Sequence, residues 1–497
     1  MKTIISIFLF SFLVLTVTVT IFKYTESYAQ WQADSRLTND TASSFTSTNN
    51  AWCIASTGNF VYASWEDRRD GNSEIYHKRS TDGGATWGAD TRLTNNASIS
   101  QHPSISVSGT IVHVVWEDTR DGNLEIYYKR STNSGVSWST DTRLTNNPDF
   151  SIDPCISSSG QDVRVVWRDD REGNSGIYYK RSTDGGASWG ADTRLTDTVS
   201  ASQKPAICVS GSVVHVAWAD SRVGNAFKIY YKRSTDGGVT WGADTQLTNL
   251  VTVSQSPCIS VSDSVVHIVW NDERSGDNNE QGGYFNIFYK RSTDGGITWS
   301  TDAPLIASNV YSLYPSVASS GQIVQVIWCD DRDGNFEIYN KRSTNGGINW
   351  GPDTRLTNAF DDSIYPSVSI SNQAVHVVWI DHRDGNFEIY YKRNPTGNLV
   401  ALVNINSEIP EKFHLFQNYP NPFNPGTKIR FELPVSSNVK LVIYDVLGKE
   451  VETLIDGELS AGTYEPKWNA EKLSGGVYFY KLEAGGFVST KKMVLIK

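Results

Sequence analysis

Residues 111–138 read Ile-Val-His-Val-Val-Trp-Glu-Asp-Thr-Arg-Asp-Gly-Asn-Leu-Glu-Ile-Tyr-Tyr-Lys-Arg-Ser-Thr-Asn-Ser-Gly-Val-Ser-Trp. A β-branched run ends in Trp-Glu-Asp-Thr-Arg, an Asp-Gly-Asn turn reverses the chain, and a second run of β-branched and aromatic residues follows. Two short strands joined by a tight turn are the local reading. The unit recurs along the chain. Trp-x-Asp-x-Arg has its Trp at 65, 116, 167, 218, 270, 328 and 379, at spacings of 51, 51, 51, 52, 58 and 51. Ser-Thr-Asp-Gly-Gly-x-x-Trp, or a close variant, ends at Trp87, Trp138, Trp189, Trp241, Trp299 and Trp350. The second unit holds four short runs, Ser104–Val107, Ile111–Trp116, Glu125–Arg130 and Asp141–Leu144, and none has helical period. Four strands in about fifty residues predict one propeller blade per repeat.

The ends of the array complement each other. Trp31-Gln-Ala-Asp-Ser-Arg-Leu-Thr38 matches Trp87-Gly-Ala-Asp-Thr-Arg-Leu-Thr94, the outer strand of a unit, whereas the seventh unit decays after Arg393 and lacks that strand. The expectation is all-β: a seven-bladed β-propeller over residues 30–398, closed by its N-terminal strand so that no long edge stays unpaired. Hydrophobic residues at 39% and charged residues at 20% are globular proportions. A net charge of -10 argues against a nucleic-acid partner, which would need a basic face. Residues 1–29 read as a signal peptide, with Lys2, an apolar stretch from Ile4 to Phe22, and Ser27-Tyr28-Ala29 before the cleavage point; retention as an anchor is the alternative. Cys53, Cys155 and Cys258 share one place in three units and Cys208 lies two residues from it, so the cysteines read as core fillers without disulfides.

The Ser-x-Asp-x-Gly-x-x-Trp element resembles the Asp box (BNR repeat) of sialidases and related propellers. That resemblance implies a turn between the third and fourth strands, capped by Asp82, Asn133, Asp184, Asp236, Asp294 or Asn345, with the Trp packed in the interior. The family's chemistry carries over poorly. A sialidase needs an arginine triad, a Tyr–Glu nucleophile and an Asp acid on six blades; its Arg-Ile-Pro motif is absent here, and no catalytic residue is assigned. From Phe413 the composition changes. Phe416-Gln-Asn-Tyr-Pro-Asn-Pro-Phe-Asn-Pro425, Val442-Ile-Tyr-Asp-Val-Leu-Gly448, Gly475-Gly-Val-Tyr-Phe-Tyr480 and the ending Lys491-Lys-Met-Val-Leu-Ile-Lys497 resemble the type A sorting domain of type IX secreted proteins. This implies a small Ig-like β-sandwich over 413–497 behind a linker at 399–412. It also implies recognition by the type IX secretion machinery, and a place outside or on the outer surface of a Gram-negative cell.

The sharpest repeated chemistry is the Asp-x-Arg pair: Asp67 and Arg69, Asp118 and Arg120, Asp169 and Arg171, Asp220 and Arg222, Asp272 and Arg274, Asp330 and Arg332, Asp381 and Arg383. A pair present in every unit reads first as a fastener between neighbouring blades and second as a ligand-facing ring. A column of Tyr62, His113, Arg164, His215, His267, Gln325 and His376 reads as inter-blade hydrogen bonding, since ligands of one metal must converge on one point. No cofactor is expected. Asp-Gly-Asn-x-Glu at Asp70, Asp121, Asp333 and Asp384 has oxygens suited to calcium, but its spacing is not that of an EF-hand and it is also an ordinary hairpin turn. Symmetry breaks most in the fifth unit, where Ser275–Phe285 holds a seven-residue insertion with Asp277, Glu280 and Tyr284 as candidate ligand contacts. The leading expectation is a monomeric exported propeller that binds a carbohydrate or protein without catalysis. An exo-sialidase or other glycoside hydrolase, and a structural surface component, are the alternatives.

Overall fold

The computed structural model describes residues 31–47, 52–196, 200–223, 226–249, 252–273, 284–306, 310–395, 410–435, 437–459, 461–470 and 473–496. The signal segment 1–29, most of the linker 399–412, and Arg274, Asp277 and Glu280 lie outside the described residues. Among the described residues the repeats form seven antiparallel sheets, numbered here as blades 1 to 7 in chain order. Blade 2 is representative: Ser100–Ser108, Ile111–Asp118, Glu125–Ser131 and Thr142–Arg143 pair in sequence from the axis outward. Each inner strand lies against the inner strand of the next blade, and Ser363–Ser371 of blade 7 lies against Ile54–Thr57 of blade 1, closing a ring. The fourth strand of blade 7 is Ser35–Arg36, in register Ser35↔Tyr391 and Arg36↔Tyr390. This is the completion that the complementary chain ends call for.

The inner strands run further than the sequence suggests. Pairing continues from Ser104 back to Ser100↔Asp118 across a bulge at His102-Pro103. Proline gives the ladder no N–H and reads as a strand end, but a bulge absorbs it.

Asp118 explains the repeated Asp-x-Arg. Its buried carboxylate accepts hydrogen bonds from Trp116 Nε1 (2.9 Å), Ser100 Oγ (2.9 Å), the Arg120 backbone N–H (3.0 Å), and Arg120 Nε and Nη2 (2.8 and 2.6 Å). Arg120 Nη1 donates to Asp141 beside the outer strand (2.7 Å). One ion pair thus ties the inner, second and outer strands of a single blade. The expectation that these pairs join neighbouring blades is not met, because the guanidinium fork is spent along its own sheet.

The Lys-Arg of each third strand joins the blades instead. Arg130 donates to the Gly185 carbonyl in the Asp-box turn of blade 3 (2.6 Å), while Lys129 donates to the Leu93 carbonyl on the outer strand of blade 1. The same bonds close the ring, from Arg393 to Gly83 (2.6 Å) and from Lys78 to Leu37 (2.5 Å). The Asp-box tryptophans also work at these seams. Trp189 meets Tyr128 of the preceding blade edge-on at 4.9 Å, and Trp87 meets Tyr391 likewise at 4.9 Å, rather than filling their own blades. Gly186 is required there: a Cβ would stand 1.9 Å from the Tyr128 hydroxyl oxygen, at φ +82.

Near the axis, side chains cover N–H groups that the inner strands leave exposed at the seams. Ser104, Ser106 and Ser108 accept from the N–H groups of Ile156, Ser158 and Gly160 (3.3, 3.0 and 2.8 Å). Cys258 does the same for Val317 (3.5 Å), which gives this cysteine more than a filling role; all five cysteines are buried and unpaired. The hydroxyls also match across seams: Ser369 with Ser56 (2.7 Å), Ser106 with Ser158 (2.8 Å) and Ser260 with Ser319 (2.8 Å). Where Ala55, Cys208 or Ala318 takes the first place, the next blade offers Val107, Val261 or Ile370 and the seam is apolar. Ser157 beside Val209 breaks the rule. Ser369→Ala is expected to lower stability by about 1 kcal/mol by leaving the Ser56 hydroxyl unmatched. Adding Ser56→Val recreates an apolar seam and restores most of the loss. Urea unfolding of the four members of this cycle reads the coupling, and additive losses would contradict it.

The C-terminal residues form a second core. Glu450–Leu459, Ser437–Tyr444, Gly476–Ala484 and Phe487–Leu495 make a four-stranded antiparallel sheet. Shorter pairings face it: His414–Leu415 with Phe431–Leu433 and Gly462–Tyr464, and Gly426–Lys428 with Lys467–Asn469. Phe423, Ile429, Leu441, Trp468, Tyr480 and Met493 fill the space between, as a small sandwich requires.

Candidate functional site at the funnel mouth

Strand direction sorts the turns of each blade onto two faces. Ser100 pairs with Asp118, so the bulge, the Asp-x-Arg pair and the Asp-Gly-Asn turn share one face. The hairpin after Ser108 shares the other with the Asp boxes, where the Gly185 N–H bonds the Gln161 carbonyl (2.7 Å).

The residues singled out from sequence do not converge on either face. The arginines of the described Asp-x-Arg pairs also lie over tyrosine rings of their own blades, at 4.2–4.5 Å. Burial alone would raise Asp118, but Arg120 and Trp116 hold its carboxyl below the usual carboxylate range. The column bonds between blades at Arg164, whose Nε donates to the Gly237 carbonyl of blade 4 (3.3 Å), whereas its histidines bond within their blades: His113, His215, His267 and His376 meet the hydroxyls of Tyr128, Tyr231, Tyr289 and Tyr391 at 2.7–2.8 Å. It is the tyrosine that reaches the next blade. In the Asp-Gly-Asn turns, Asn72 Nδ2 donates to Glu74 (3.1 Å) and to two loop carbonyls, Tyr76 donates to Asp70, and Arg92 pairs with both carboxylates. Asp70 Oδ2 and Glu74 Oε1 are thereby committed to the turn, whereas the buried Glu74 Oε2 accepts no hydrogen bond among the described residues. Asp82 and Asn133 each cap their Asp-box turn, accepting the N–H of Thr86 and Ser137 at 2.9 Å, so the charge is dispensable there. Of the blade 5 insertion, Tyr284 is described; it is exposed and meets Tyr311 edge-on at 5.2 Å.

A different pair of columns gathers at the axis. The inner-strand pattern Ser-x-x-Pro recurs in blades 2 to 7, and the residue before each proline is His102, Asp153, Lys204, Ser256, Tyr314 or Tyr365. All six have φ between 51 and 56, so the bulge aims five kinds of side chain at six places from one backbone geometry. Beside them stands the middle residue of Trp-x-Asp: Glu66, Glu117, Arg168, Ala219, Asn271, Cys329 and Ile380. Both columns vary from unit to unit, so a search for repeated landmarks passes over them. The invariant Ser and Pro that frame the variable position were the available signal.

Charge collects on blades 1 to 4. Glu117, with 2% of its surface exposed, accepts from Gln101 Nε2 and His102 Nδ1 (both 3.0 Å) and from the Asp153 backbone N–H (2.8 Å). Asp153 pairs with Lys204 (3.2 Å). Burial would neutralise both members of the His102–Glu117 pair, but their mutual attraction wins: His102 is raised and Glu117 lowered from their ordinary values. Aromatic surface collects on blades 6 and 7, where Tyr314 and Tyr365 stack with centroids 4.3 Å apart and hydroxyls at 3.4 Å.

Blade 1 closes the funnel. Nine positions separate Ser44 from Cys53, where four separate Ser100 from Ser104, so the bulge is replaced by a loop five residues longer. Thr46 donates to the Tyr365 carbonyl (3.0 Å). The Trp52 carbonyl accepts the Ile105 N–H (2.8 Å), and its side chain packs against Cys208, Ile259 and Val317 of blades 4, 5 and 6. Trp52 therefore crosses the axis and floors the mouth. Beyond it the channel continues as a cavity of ≈ 220 Å³, lined by residues such as Ser106, Ser158, Val261 and Ser319. A concave mouth with ionic donors and acceptors on one arc and aromatic surface on the other suits a ligand with hydroxyls on its edge and an apolar C–H face.

Residues 16–219 match the family model of a BNR repeat-like domain, and residues 290–301 that of a BNR/Asp-box repeat. Residues 417–497 match a secretion system C-terminal sorting domain. No curated protein matches the chain. Among solved structures, polysaccharide lyase Uly1 superposes with a TM-score of 0.50 at 8% identity, over 74% of this chain and 100% of that one. The Hadza microbial sialidase Hz136 gives 0.41 at 13% identity, over 67% and 74%. A Trypanosoma rangeli sialidase gives 0.40 at 12%, over 82% and 85%. At such identities the likeness to Uly1 speaks for the fold alone.

Proposed function

With BNR/Asp-box repeats in its ring and a type IX secretion sorting domain at its C-terminal end, the chain is an exported sialidase-like propeller, and we propose that it binds a carbohydrate at the funnel mouth without cleaving it. The observation that carries this reading is the asymmetry of the bulge column, five kinds of side chain at six places around a mouth that Trp52 floors. A scaffold that repeats everything else diversifies where it meets its ligand.

The chemistry of the mouth favours binding over hydrolysis. A glycosidase needs a carboxyl group poised to give up a proton near its working pH. Glu117 is moved the other way, held ionised by His102, Gln101 and the Asp153 N–H, and Asp153 is tied to Lys204. Tyr314 is equally unsuited as a nucleophile: burial and the bond from Tyr365 push its hydroxyl above its ordinary value, so it stays protonated. The tyrosine pair then serves as a stacking surface, and His102 and Lys204 as donors to ring oxygens and hydroxyls. On a glycan array the purified propeller is expected to capture carbohydrate, and Tyr314→Ala or Tyr365→Ala to weaken the capture about tenfold while leaving tryptophan fluorescence native. Turnover of a fluorogenic sialoside by the same preparation would sink the non-catalytic reading.

A further inference from the structure

The mouth does not end at the tyrosine pair. Tyr311 lies three residues before Tyr314, immediately before the inner strand Ser312–Ser320, on the seam between blades 5 and 6. It is 38% exposed, and Tyr284, 39% exposed, meets it edge-on from the turn before Asn286–Ser292 of blade 5. Both are anchored by backbone rather than by burial. The Tyr311 N–H donates to Asp331 Oδ1 (2.9 Å), its carbonyl accepts the Asp331 N–H (3.2 Å), and the Ser312 N–H bonds the Phe285 carbonyl (2.8 Å). Four aromatic rings therefore lie across blades 7, 6 and 5 in two contacting pairs, Tyr365 with Tyr314 and Tyr311 with Tyr284.

We infer that this row is a track for an extended glycan chain, with one end of the chain in the funnel mouth and successive sugars lying over Tyr311 and Tyr284. The inference rests on the carbohydrate-binding reading above and adds the class of ligand: a polymer bound along its length rather than a single terminal sugar. Large tyrosine faces left open to solvent, with their hydroxyls available, match stacked sugars whose faces are apolar and whose edges are polar. A compact monosaccharide filling the mouth would leave Tyr311 and Tyr284 unused.

The test is calorimetry of the propeller with gluco-, chito- and uronic-acid oligosaccharides of two, four and six units, beside the matching monosaccharides. In whichever series binds, affinity is expected to rise at least tenfold from two to six units. Tyr284→Ala and Tyr311→Ala, both surface changes, should weaken the six-unit chain about five- to tenfold and leave the two-unit chain unchanged. Tyr365→Ala should weaken both. Binding that is flat with chain length, or a six-unit affinity indifferent to Tyr284 and Tyr311, overturns the track while leaving the mouth site standing. No binding by any series, with the fold intact, overturns both.

Discussion

Mild acid is expected to unfold the propeller cooperatively, with most of its stability gone between pH 6.5 and pH 4. Five buried histidines drive this result. Burial first, with a nearby arginine adding to it at all five positions, lowers His77, His113 and His376 to about 3 and His215 and His267 to about 4. At His77 the bond to the Ala63 carbonyl opposes burial without overcoming it. In the unfolded chain each titrates near 6.5, so between that value and the folded one the unfolded state binds more protons, and stability falls as pH falls. One such group is worth about 1.4 kcal/mol per pH unit, and five acting together about 7 kcal/mol per unit, comparable to the whole net stability of a domain. His102 works in the opposite sense. Its raised value makes its contribution full below 6.5 and lost as pH rises through the folded value, while that of Glu117 is lost only as pH falls through its own depressed value. One ion pair does not offset five histidines. Tryptophan fluorescence and calorimetry from pH 7 to pH 4 check the expectation, and His376→Gln should reduce the proton uptake on unfolding by about one. Blade 6 already carries Gln325 and Asn340 at that position. A midpoint below pH 3 in the parent chain would mean that the histidines are not held neutral.

Removing residues 31–38 is expected to abolish the folded monomer. The loss reaches beyond one short strand. Asp34 receives Arg383 and Lys392 (2.8 and 2.9 Å), Arg36 pairs with the fully buried Glu388 (2.6 Å), and Thr38 donates to the other oxygen of Glu388. Breaking a buried pair from one side costs roughly 3–5 kcal/mol, and the truncation breaks two while opening an edge along Glu388–Asn394. Size-exclusion chromatography should show aggregates or strand-exchanged oligomers. A circular permutant that carries residues 31–38 after residue 395 should return to a monomer. A truncated monomer with unchanged Tm would refute the account of ring closure.

Much of the ring was legible because its landmarks repeat. Trp-x-Asp-x-Arg marks the second strand, and the match between Trp31–Thr38 and Trp87–Thr94 foretold the strand exchange at the ends. What sequence misplaced was direction. Asp-x-Arg and Lys-Arg are both charged pairs present in every unit, and nothing in spacing says which one turns back into its own sheet and which reaches a neighbour. The inner strand was read short because Pro103 looks like a terminator until a bulge is seen to hold it. The mouth was hidden for the reason that makes it a site: its residues vary around the ring, so no periodic signal carries them. Trp52 was harder still. Its loop replaces the bulge in one blade, and its contacts lie across the axis on blades far away in sequence.

The six pre-proline bulges separate skeleton from message. Each holds its backbone by the same means, a buried serine on one side and a proline on the other, whichever side chain stands between them. A bracelet of that kind can have its stones reset one at a time without loosening the band. Variation can then search new ligands position by position around the mouth while the seams keep the ring intact, and a laboratory library confined to residues 102, 153, 204, 256, 314 and 365 would explore the same freedom.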